Sequence, residues 1–168
     1  MPTAFSMAQD NADMQAAVKR SRKMLHKRAL LAGAVSAVPI PGLDWAVDAA
    51  MLSKLIPEIN REFGLTPEQL DRLNPKKREQ VQKAVTLVGS VLIGKLISKD
   101  LVIKAATTIG MRLTTKQLAK YVPFAGQIVA ATVGYAAIRY LGEEHMKDCI
   151  RVAREAQLDV PQLGYSGS

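Results

Sequence analysis

The chain has a single cysteine, Cys149, among 168 residues, so an internal disulfide is excluded and a reducing compartment is the simpler setting. Aromatic residues are few, with four Tyr, three Phe and one Trp. That scarcity argues against a ring-stacked core and against an aromatic platform for single-stranded nucleic acid. Nowhere does the sequence alternate apolar and polar residues as a half-buried strand would. Acidic residues are in deficit, 15 against 23 basic ones, and the formal charge of +8 suits an anionic partner such as acidic lipid, nucleic acid or an acidic protein face.

What is present is Ala, Val, Leu and Ile in helical spacing, with eleven Gly scattered among them. Such a composition favours helices that approach one another closely. The fold class is therefore all-α: one compact multi-helix domain over residues 9–158, between disordered ends at 1–8 and 159–168. A first helix is expected from residue 10 to about 38. Met14, Ala17, Val18, Met24 and Leu25 fall on one face, and Lys19, Arg20, Arg22, Lys23, His26 and Lys27 on the other. Arg28 interrupts the apolar stripe.

Pro39, Pro41 and Gly42 end that helix in a turn. A second is expected over 43–63, kinked or restarted at Pro57, with Gly64 as its left-handed terminator. Thr66 caps the next, with Pro67 at the first helical position and Gln69 closing a capping box. Another helix starts at Pro75 and is expected to continue through an apolar stretch to residue 97. Residues 98–100 break it, shorter helices are expected over 101–113 and 115–121, and Pro123 opens a last helix to about residue 157.

Two features bear on membranes. Residues 19–39 imitate a secretory signal, basic then apolar then small. Asp10 and Asp13 lie upstream, however, and the apolar part runs straight into an organised turn, so the segment is read as part of a cytoplasmic fold. Residues 122–138 carry no charge, which is the lower limit for a bilayer span. Pro123, Gly126, Gln127 and Gly134 keep that stretch moderately apolar, so core helix, interfacial hairpin and marginal span all stay open. Small residues recur at four-residue spacing at Ala29, Gly33, Ala37; at Thr86, Ser90, Gly94; at Ala106, Gly110; and at Gly126, Ala130, Gly134. Such rows permit close helix packing in a bundle or in lipid.

Catalytic readings fare poorly. "GSVLIGKL", residues 89–96, nearly fits a phosphate-binding loop, but Leu96 replaces the hydroxyl that would hold magnesium, no strand precedes it, and the segment lies in a helical pattern. Glu144, His145, Asp148 and Cys149 imitate a metal cluster, yet a solvated, salt-bridged helix explains them better, since Arg139, Lys147, Arg151 and Arg154 alternate with the acids. Asp44, in the first turn of its helix, meets free amides and the positive dipole end. Asp48 lies one turn deeper and needs a partner such as Arg28 or a lysine of another helix. With no neighbouring base, metal or pocket in view, both are read as structural.

From Val38 to Leu73 the chain reads "VPIPGLDWAVDAAMLSKLIPEINREFGLTPEQLDRL". It resembles the helical region after the GTP-binding domain of immunity-related (interferon-inducible) GTPases. The matching positions are Pro39 to Gly42, Asp48, Phe63 to Leu65, and Leu70. "VPFAGQIVAATVGYAAIRYLGE" is similar to the glycine-rich final hairpin of that region, and to helical modules in bacterial predicted inner-membrane proteins. The resemblance implies a helical module that associates with membranes or packs on partners. No GTP-binding domain or valid phosphate loop is present, so GTP hydrolysis is not implied.

The expectation is thus a non-enzymatic module without cofactor or metal. It meets anionic lipid through Lys19, Arg20, Arg22, Lys23 and Lys27, and a hairpin with Gly126, Ala130 and Gly134 adds apolar depth. Pro39, Pro41, Gly42, Asp44, Asp48, Gly64 and Thr66 shape turns and caps. A protein partner, a GTPase among the candidates, is expected as well, and nucleic acid is not. The expected place is cytoplasmic, peripheral or associated with the inner membrane. Two alternatives stay open: a soluble partner-binding bundle, and a membrane-disrupting effector whose hairpin forms a pore.

Overall fold

Helices begin where the sequence offers a cap. Asn74 accepts from the Lys77 N–H at 2.8 Å, and Thr66 accepts from Gln69 N while the Gln69 side chain returns to Thr66 N. The computed structural model describes residues 1–36, 43–98, 100–102, 104 and 126–163. Among these residues six helices form and no strand does: α1 (Ala4–Met7), α2 (Ala12–Ser36), α3 (Leu43–Glu62), α4 (Pro67–Asp71), α5 (Pro75–Val88) and α6 (Gly126–Glu155). The fold is all-α.

The centre is the pair α2 and α6. Leu25 lies on Gly142, Arg22 on Glu143 and Asp10 on Arg154, so the two helices run antiparallel. Helix α3 packs on both, and α5 packs along the second half of α6. Met14, Ala17, Val18, Leu25 and Ala29 of α2 meet Leu55 and Ile59 of α3, Phe63 just beyond it, and Met146, Ile150 and Ala153 of α6 in one buried cluster. Burying such side chains is worth roughly 1.5–3 kcal/mol each before chain entropy is charged against it.

Four sequence expectations need correction. Helix α3 runs unbroken through Pro57, so of the expected kink or restart the restart falls away. Helix α5 stops at Val88, because Gly89 adopts φ 75° and its N–H closes on the Val85 carbonyl at 2.9 Å. Residues 89–98 are non-helical and bury Leu92 and Ile93, while Val91 and Leu96, like Leu87 near the end of α5, are exposed. The row Thr86, Ser90, Gly94 therefore does not exist as a helix face.

The chain ends are also more organised than expected. A Thr3 capping box starts α1, and Ala4 and Ala8 are fully buried. Beyond α6, Val160 is buried and Pro161 lies against Gly64, which carries the left-handed turn after α3 at φ 75°. The N-terminal segment is held by polar anchors on α6: Glu143 accepts from Ala4 N at 2.8 Å, and Arg154 donates to the Met7 carbonyl and to Asp10. The turn at Pro39, Pro41 and Gly42, the expected helix over 115–121, nearly all of that over 101–113, and residues 164–168 lie outside the described residues.

A close approach of α2 and α6 falls at Gly142, two four-residue steps beyond the row Gly126, Ala130, Gly134. A Cβ on Gly142 would sit 2.4 Å from Leu25 Cδ1 and 3.2 Å from its Cγ. Leu25 is buried within the core cluster. Gly142→Val should therefore destabilise by about 1–3 kcal/mol through overpacking, although valine is the better helix former. A thermal melt checks this, and an unchanged or raised Tm would show that the α2–α6 contact is loose.

Candidate functional site

Helix α2 carries the basic residues, and the fold divides them into two sets. Arg20 Nε donates to Glu62 Oε2 at 2.6 Å, Arg22 to Glu143 Oε1 at 2.6 Å, and Arg28 to Glu58 Oε1 at 2.8 Å. The three arginines lie on the flanks of α2, where planar guanidinium groups reach carboxylates of α3 and α6. Arg28 thus has Glu58 as its partner, and the Asp48 side chain, like that of Asp44, lies outside the described residues. Burial would raise the Glu143 carboxyl, but hydrogen bonds from Arg22 and Ala4 N–H hold it below the usual carboxylate range.

The lysines behave differently. Lys19, Lys23 and Lys27 are exposed on the side away from the core, with exposed His26 among them. Lys19 Nζ lies 5.7 Å from the centre of the Phe5 ring, and the Arg22 guanidinium 5.9 Å from it. One turn beyond Lys27 the same side presents Leu30 and Leu31, 54% and 59% exposed. Across the groove, the Tyr135 hydroxyl lies 3.3 Å from His26 Nδ1, and Arg139 stacks 5.9 Å from the Tyr135 ring centre. Gly126, Ala130 and Gly134 lie in the first half of α6.

A second polar group is buried, and half of it escaped the sequence reading. Asn60 of α3 donates through Nδ2 to the Leu92 carbonyl at 2.9 Å. Its Oδ1 then accepts from His145 Nε2 at 2.7 Å, with the Cys149 thiol 3.7 Å away. One amide side chain thereby joins α3, α6 and the loop after α5. Glu144 pairs with Lys147 and Asp148 with Arg151, so α6 does carry salt bridges. The correction concerns His145 and Cys149, which face the interior rather than solvent. Among the described residues no three metal-ligating side chains come together.

Cys149 Sγ lies 3.6 Å from His145 Nε2, a spacing that resembles a nucleophile and its base. The chemistry is unsuited to that. Nε2 carries the proton given to Asn60, so it cannot take one from the thiol. Burial holds His145 down to about 4, and burial together with the Asp148 charge pushes the thiol well above its ordinary range. The pair is a neutral structural bracket. Nothing in the sequence around Asn60 marks it, since one Asn in a helix interior carries no spacing pattern.

The near-match "GSVLIGKL" coincides with the non-helical loop after α5, so its helical setting falls away as an objection. The missing hydroxyl at Leu96 stands, and no strand precedes the loop among the described residues. Nor is any described helix long and apolar enough to cross a membrane.

Comparison with known proteins gives a partial likeness. The chain is 26% identical over 114 residues to interferon-inducible GTPase 5 of Bos taurus, which covers 67% of this chain and 24% of that protein. It is 25% identical over 128 residues to interferon-inducible GTPase 5 of Rattus norvegicus, covering 73% of this chain and 27% of the relative. The chain thus spans about a quarter of the length of the curated relatives it matches. No family model matches it, and no solved structure does. It is a helical module with similarity to part of a GTPase.

Proposed function

We propose that the protein is a non-enzymatic helical module that docks peripherally on an anionic membrane surface through the outer side of α2. The observation that carries this reading is the sequence of exposed side chains along that side: Lys19, Lys23 and Lys27, then Leu30 and Leu31. Each lysine near an acidic surface contributes about 1 kcal/mol, fading beyond a Debye length. The leucines supply the apolar contact that fixes an interfacial helix beneath the headgroups. Arg20 and Arg22 leave this surface, because their charges are already paired inside the fold. No GTPase activity is carried over from the relatives, since the sequence holds no loop that pairs a phosphate-binding lysine with a following hydroxyl.

The test is co-sedimentation with acidic and neutral vesicles at low and high salt. Changing Lys19, Lys23 and Lys27 together to Gln should weaken attachment to acidic vesicles about a hundredfold. Binding indifferent to lipid charge, salt and these substitutions would overturn the reading.

A protein partner is favoured by one further observation. Leu87, Val91 and Leu96 are 72%, 46% and 83% exposed around the end of α5, a grouping that contributes nothing to the core. The similarity to part of a GTPase makes a GTPase the first partner to try. Leu87→Glu with Leu96→Glu should abolish that complex in light scattering and leave vesicle attachment intact.

A further inference from the structure

The membrane reading leaves His26, Tyr135 and Arg139 unused, and their arrangement is more specific than a row of charges. Tyr135 and His26 meet edge to face, ring centres 6.3 Å apart at 85°, with the hydroxyl 3.3 Å from Nδ1. When Nδ1–H donates to the phenol oxygen, the phenol's own proton is left to point outward. Arg139, on the next turn of α6, lies against the Tyr135 ring, which orients its guanidinium. Glu143, one turn further, is occupied by Arg22 and Ala4 N–H. Among the described residues no carboxylate lies within ion-pair distance of Lys23, Lys27 or Arg139.

We propose that His26, Tyr135 and Arg139 form a seat in the α2–α6 groove for the phosphomonoester headgroup of a lipid, with Lys23 and Lys27 beside it. The inference rests on the membrane reading above and deepens it. A terminal phosphate presents three free oxygens and up to two charges to donors arriving from different directions. A phosphodiester offers two free oxygens and one charge beneath its own headgroup. A planar guanidinium fork and a hydroxyl from α6, with ammonium groups from α2, match the first better than the second. The exposed Leu30, one turn beyond His26, places apolar contact next to the seat and selects a lipid over a free phosphate ester.

The experiment compares vesicles containing phosphatidic acid with vesicles containing phosphatidylserine, matched for surface charge. Wild-type protein should prefer phosphatidic acid about tenfold, the scale of one charge-assisted hydrogen bond. Arg139→Gln and, independently, Tyr135→Phe should remove the preference while leaving general attachment to acidic vesicles. Lys19→Gln, an equal loss of charge outside the seat, should weaken binding to both vesicle types alike. The Tm of each variant is followed, and Tyr135→Phe removes a single oxygen, so the outcome does not hinge on folding.

Equal binding to both vesicles at matched charge, or Arg139→Gln behaving like Lys19→Gln, would overturn the seat and leave the membrane reading standing. No attachment to either vesicle would overturn both. Soluble glycerol 3-phosphate is the third arm. Competition in the millimolar range supports the headgroup chemistry, while micromolar binding without vesicles would overturn the lipid as its source.

Discussion

Asn60→Leu should lower folding stability by about 3–5 kcal/mol. The amide is buried and holds three partners at once: the Leu92 carbonyl, the His145 ring and the Cys149 thiol. Leucine has a similar volume, so the expected loss is not one of packing. It comes from stranding the His145 N–H and the Leu92 carbonyl without water, at about 1–3 kcal/mol each. The loop over residues 89–98 would lose its tie to α3 in the same step. Denaturant unfolding measures the change as a lower midpoint at unchanged slope. Combining Asn60→Leu with His145→Leu should recover part of the loss, because the stranded N–H is then gone. A loss below 1 kcal/mol for the single variant would mean that water reaches the bracket.

The same bracket makes the fold sensitive to mild acid. His145 is fully buried and unpartnered at Nδ1, and burial holds its pKa at about 4 against an ordinary value of 6.5. A depressed folded pKa means that the unfolded chain takes up the proton first. Stability from this group is complete above pH 6.5 and drains away as pH falls towards 4. Between pH 7 and 5 the expected loss is about 2 kcal/mol. The groups around His145 are Asn60 from α3, Cys149 on α6, and the acids Glu144 and Asp148 on its own helix. Burial raises the Asp148 carboxyl, with Arg151 opposing, so its protonation acts in the opposite direction. Glu143, held low, loses its contribution only at still lower pH. His145→Leu should therefore flatten the stability profile between pH 7 and 5, and a slope that persists in that variant would move the sensitivity elsewhere.

Local chemistry was legible wherever the chain carries its own signal. Thr66 with Gln69, and Gly64 at the end of α3, act on neighbours within a few residues, and sequence spacing records such acts. Gly89 was equally local, but the run Val91, Leu92, Ile93 reads as continued helix, and the burial of Leu92 and Ile93 and the Asn60–Leu92 bond that accompany the loop come from across the fold. The basic face of α2 was visible as a face. Its division into paired arginines and exposed lysines was not, because Glu58, Glu62 and Glu143 arrive from other helices. His145 and Cys149 sit among charged residues, and composition there suggested solvent where packing dictates burial. Gly142 could have been found by extending the four-residue row past Ile138.

The contact of Gln162 with Asp13 brings the C-terminal end of the described chain to the start of α2, whereas Ala4 on Glu143 and Phe5 beside Lys19 and Arg22 return its N-terminal end to the middle of that helix. Leu31 lies towards the far end of α2, a helix rise of about 28 Å from Ala12. If the outer side of α2 rests on a lipid surface, the helix axis lies along the bilayer, and the N-terminal end sits beside Lys19 at headgroup level. Whatever joins that end would then lie along the membrane and not be lifted away from it.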